Sequence, residues 1–142
     1  MSRKFKENIK RIDLLFKGVH TDSSRSRETL TYYKDYLEGN LKFPVDVTGI
    51  EDFDWEEFYL LGPGDKREYE YLKKTKPSYK DIFSLKKIGS SYDDLLGLLA
   101  HVNRISDNKK FQIPLMDLKA VDKKTREYDL LDDYSIWFIN YQ

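Results

Sequence analysis

The chain has 142 residues, of which 39% are apolar and 15% aromatic, so it can build the core of one domain and is too apolar for a disordered segment. It has no cysteine, which excludes disulfides and thiolate metal sites, and its 25 basic and 25 acidic residues cancel. The signs are unevenly spread, however: residues 1–27 carry +5 and the remainder −5, and a mildly acidic body lacks the positive stripe that nucleic acid requires.

Residues 1–28 read as a basic amphipathic leader helix and linker, and residues 29–142 as a single α+β domain. In the leader, Phe5, Ile9, Ile12 and Phe16 recur at helical spacing until Gly18 stops the run. The stripe is backed by Lys4, Lys6, Lys10 and Arg11. It can dock on the body of this chain, on a partner or on a membrane surface, the first being the simplest. There is no small-residue cleavage site and no apolar run near the roughly 18 residues of a membrane span, so a cytoplasmic protein without membrane contact is expected. Residues 20–28, "HTDSSRSRE", are a polar linker.

A second helix is predicted where Leu30, Tyr33, Leu37 and Leu41 share a face. A strand follows around Val45 and Val47, with Pro44 confining it to an edge or to a first position. Two short helices come next, each opened by an acidic capping box, Asp54 with Glu57 and Asp65 with Glu68. Trp55, Phe58 and Tyr59 would share the buried face of the first, and Tyr69 and Leu72 would anchor the second. From Asp81 the pattern turns to strands: "DIFSLKKI", a loop at 89–94, then "LLGLLAHVNRI" and "FQIPL" as a hairpin, although the Leu-rich run also suits a helix. Residues 115–118 read as a one-turn helix. The tail places Leu130, Tyr134, Trp137 and Tyr141 on one helical face, while "SIWFINY" also suits a last strand.

Little points to an enzyme. His20 lies in the linker, and His101 inside an apolar strand reads as a packed core residue. No Ser sits in a nucleophile elbow, and "GPGDK" lacks the spacing of a phosphate-binding loop. Two distant histidines without cysteine cannot fill a tetrahedral zinc site without help from carboxylates. Oxygen-rich chemistry remains. Residues 51–57 hold five carboxylates, Glu51, Asp52, Asp54, Glu56 and Glu57, which form either a cation site or the solvated start of a short helix. They are not an EF-hand loop: with Asp52 as the first position, Glu57 stands where Gly is needed and Pro63 where a bidentate Glu is needed. Asp93 and Asp94 in a loop, and Asp129, Asp132 and Asp133 near the C-terminus, are further candidate ligands.

Two stretches resemble a known family. "YYKDYLEGNLKFPVDVTG" (32–49), through Tyr33, Tyr36, Leu37, Leu41, Phe43 and Pro44, is similar to the opening of the small CcbP-type calcium-binding proteins of bacteria, including cyanobacteria. "FQIPLMDLKAVDKKTREYDLLDDYSIWF" (111–138) resembles their closing segment through Pro114, Leu115, Leu118, Asp133, Tyr134 and Trp137. The resemblance implies a small, strongly bent SH3-like sheet or barrel preceded by helices, with calcium bound by surface carboxylates. The expected function is therefore non-enzymatic, weak calcium binding. The alternative is an SH3-like module whose aromatic surface or basic leader takes a protein partner without metal.

Overall fold

The computed structural model of the chain describes residues 2–19 and 22–142, so His20 lies outside the described residues. Helix α1 (Arg3–Phe16) opens on Ser2, whose hydroxyl accepts from the Phe5 N–H. Helix α2 (Arg27–Asn40) opens on a reciprocal cap between Ser26 and Thr29. Strand β1 (Val45–Gly49) follows, then the short helices α3 (Asp54–Leu60) and α4 (Lys66–Leu72). Strands β2 (Ile82–Asp93), β3 (Gly97–Arg104) and β4 (Lys110–Pro114) form a meander. A 3-10 turn (Leu115–Asp117), strand β5 (Leu118–Ala120) and helix α5 (Arg126–Asn140) complete the order.

The sheet is antiparallel, in the order β4-β3-β2-β1-β5. Its two ends do not pair with each other, so the class is α+β with an open sheet rather than a closed barrel. Register shifts along β2, between Leu85 and Lys87 and between Ile88 and Tyr92, insert the extra residues that bend a strand. β1 lies inside the sheet, so Pro44 stands ahead of a central strand and removes no ladder hydrogen bond.

α1, α2 and α5 cover one face. Trp137, Tyr33, Tyr134 and Phe16 are each 2% exposed or less and meet ring to ring at about 5–6 Å. The leader thus docks on its own chain, through Ile12 and Phe16. α5 is a helix, which settles the ambiguity of the tail. Gly97 explains its close fit: with φ at +73°, it sits where a Cβ would lie 2.4 Å from the Phe138 ring and 2.6 Å from the Tyr134 hydroxyl. That hydroxyl accepts the Leu98 N–H at 2.9 Å.

Three local expectations are corrected. Residues 89–94 are not a loop: β2 runs on to Asp93, because pairing with β3 supports a segment whose polar side chains face water on both sides. Phe58 is 55% exposed, since Trp55 and Tyr59 turn onto Tyr69 of α4 and leave it on the outer flank. His101 alternates with the buried Ala100 and Val102, so it faces away from the core, its Nε2 3.5 Å from the Gln112 Nε2.

A candidate acidic site beside the 3-10 turn

The segment that carries Glu51, Asp52 and Asp54 is placed by strand pairing. Gly49 pairs with Leu118 across β1 and β5, and the next N–H, that of Ile50, donates to the Asp117 carbonyl at 2.9 Å. Gly49 is also where β1 touches the α4–β2 connection, since a Cβ there would lie 2.6 Å from that of Tyr79. The chain leaves the sheet beside the 3-10 turn, and the charges of Asp54 and Glu51 reach the Asp117 carboxyl.

Burial pushes the Asp117 carboxyl up to about 6, and the charges of Asp54 and then Glu51 push in the same direction. Asp54 and Asp117 line one shallow cavity of about 230 Å³, walled by Phe53, Trp55, Ile113 and Pro114. The neighbouring Asp52 carries a buried oxygen, Oδ2, that no hydrogen-bond donor among the described residues meets. Among the described residues, no lysine or arginine forms an ion pair with Glu51, Asp52, Asp54 or Asp117.

The other candidates have different tasks. Glu56 is fully buried, and its two oxygens accept from the Phe53 and Tyr79 N–H groups and from the Tyr69 and Ser78 hydroxyls. It is the knot that ties α3 to α4 and to the start of β2. The expected capping box is therefore shifted by one residue: Glu56, rather than Glu57, reaches back, and it reaches to Phe53. Glu57 points to solvent on the other side of α3. Asp65 does cap α4, whereas Glu68 accepts the Tyr59 hydroxyl. Asp93 accepts the Leu95 and Leu96 N–H groups and shapes the β2–β3 turn, with Asp94 exposed beside it.

Three of the four acids of α5, Asp129, Asp132 and Asp133, are taken up by the leader. Asp133 accepts from the Arg11 guanidinium at 2.8 and 3.0 Å and from Asn8 at 2.6 Å. Burial raises its carboxyl, against the lowering effect of Arg11 and Asn8. Asp132 meets Lys4 at 3.5 Å and Asn8 at 3.0 Å, and Asp129 meets Arg11 at 3.9 Å. The basic leader is thus the counter-charge of α5. The structure brings Asp54 and Glu51 within the electrostatic reach of Asp117 and gives the other candidates different tasks. Among the described residues, no three His, Asp or Glu side chains stand at the spacing of a finished metal cage.

Asp117 was missed because its stretch reads as packing residues around a single turn. Only the pairing of the three-residue β5 with β1 carries it to residues 51–54. No protein-family model matches this chain, no curated protein matches it, and no solved structure matches it. No helix among the described residues is long and apolar enough to cross a membrane.

Proposed function

We propose that this chain is a non-enzymatic, weak calcium-binding protein whose ion is held by Asp54, Asp117, Glu51 and Asp52. The observation that carries the reading is the crowding of Asp54 and Glu51 on the half-buried Asp117 with no ion-paired lysine or arginine among the described residues. A hard divalent cation that accepts carboxylate, backbone carbonyl and water oxygens supplies the missing charge, and calcium tolerates irregular geometry of this kind better than magnesium. The site is open, so the affinity falls at about 10⁻⁴–10⁻³ M, the range of sites with little preformed cage. The bends along β2 support an SH3-like reading of the sheet. A cytoplasmic location belongs to the same proposal and rests on the absence of cysteine.

Calorimetric titration of calcium into chelator-treated protein tests the reading, with magnesium as the comparison. Saturable heat below about 1 mM calcium is expected, weakened several-fold in Asp54→Asn and Asp117→Asn. Because the ion displaces a proton from a carboxyl near 6, binding weakens about tenfold between pH 7 and pH 5. Absence of heat at millimolar calcium, or equal binding by both variants, removes the site.

A further inference from the structure

Strand β4 is an end strand of the sheet, and its outer edge carries no other strand. Which backbone groups face that edge follows from the ladder. The Arg104 N–H donates to the Lys109 carbonyl at 2.8 Å, so that pair is a hydrogen-bonded one. Along an antiparallel ladder such pairs alternate, so Phe111 and Ile113 point their N–H and C=O groups at β3. Lys110 and Gln112 therefore point both groups outward, and Pro114 points out its carbonyl. Among the described residues, no backbone hydrogen bond reaches these groups.

A lysine and a proline on an open edge usually discourage pairing. Here charge is distributed along the strand so that one partner suits it. The start of β4 is basic, with Lys109 and Lys110 both exposed; Lys109 lies beside Asp107, and Lys110 forms no ion pair among the described residues. Its end is acidic: Gln112 and Pro114 line the same cavity as Asp54 and Asp117.

We infer that β4 pairs with β4 of a second copy, antiparallel about a two-fold axis at Gln112, to make a continuous ten-stranded sheet. The two Gln112 residues exchange backbone hydrogen bonds, and each Lys110 N–H donates to the Pro114 carbonyl of the other copy. The missing N–H of Pro114 costs only the reciprocal bond. Opposed residues of an antiparallel pair share a face, so each Lys110 ammonium rises beside Pro114, where Asp54 and Asp117 of the other copy stand. The contact is isologous and closes at two copies, so it does not propagate into fibres. The backbone pairing needs no ion, and because the Lys110 contact uses Asp54 and Asp117, the dimer is strongest in the calcium-free chain.

Edge pairing alone buries little area, so the dimer is weak. Sedimentation velocity of the full chain from about 10 to about 500 µM, in low salt, is expected to show a reversible monomer–dimer equilibrium that weakens in high salt. Lys110→Glu and Asp54→Lys are each expected to weaken it about tenfold or more, and the double variant to restore it. Gln112→Pro removes an outward N–H without touching the β3 ladder and abolishes it. In hydrogen exchange, the Lys110 and Gln112 amides become protected as concentration rises. A monomer throughout this range, as an edge kept for a strand of another protein would give, overturns the inference. So does a dimer that persists in Gln112→Pro with circular dichroism unchanged.

Discussion

Two carboxylates distant in sequence, the buried Glu56 and the half-buried Asp117, sit in opposite surroundings. Glu56 is met by four donors, whereas the Asp117 carboxyl is raised by burial and by the charges of Asp54 and Glu51. Glu56→Gln replaces an acceptor with an amide that faces donors, and is expected to lower stability by about 1–3 kcal/mol in urea denaturation while leaving calcium heat unchanged. Asp117→Asn has the reverse signature. A carboxyl raised from 3.8 to about 6 holds its proton more tightly in the folded chain than in the unfolded one. Its contribution favours the fold below the ordinary carboxylate range and is lost as pH rises through 6. The variant is therefore expected to melt higher than the parent at pH 7.5, by up to about 1 kcal/mol after solvent screening, with the gap closing by pH 4. Thermal scans at the two pH values check the sign. The residue scale was only half legible: the acidic run at 51–57 is plain in the sequence, but which oxygens find donors depends on Tyr69, Ser78 and Tyr79, which meet Glu56 only once the chain has folded.

At the scale of elements, two cations do most of the joining. Arg104 is 3% exposed, and its guanidinium donates to the carbonyls of Lys73, Lys74 and Lys76 and to Asp81 and Asp107. It holds the end of α4 against the β3–β4 turn and keeps the Asp107 carboxyl down at about 2. Arg104→Met removes the donor those acceptors share, and is expected to cost about 1–3 kcal/mol, read by denaturation, with faster amide exchange in residues 73–81. Arg11 plays the matching part between α1 and α5. The helices were legible because their apolar residues recur at three and four and their caps are local. The second half of β2 and all of β5 were not, because their polar or very short sequences are strands only through their partners.

For the whole molecule, the +5 of the leader and the −5 of the body are an internal pairing as well as a net balance. The leader is also core: Phe16 packs on Tyr33 and Trp137 at 5.8 and 5.7 Å. Phe16→Ala is expected to destabilise the entire fold by about 3–5 kcal/mol in a single cooperative transition, which calorimetry would distinguish from local fraying of α1. With Asp129, Asp132 and Asp133 neutralised in this way, Glu51 and Asp54 crowd on Asp117 without an ion pair among the described residues, and the functional reading depends on that difference. The most direct measurement is an amide NMR titration of the chelator-treated chain with calcium at pH 7.5. Saturating shifts are expected at Glu51, Asp52, Asp54 and Asp117, with Asp93, Asp129, Asp132 and Asp133 still. Shifts centred on α5 or on the β2–β3 turn, or a spectrum unmoved at millimolar calcium, would contradict the account.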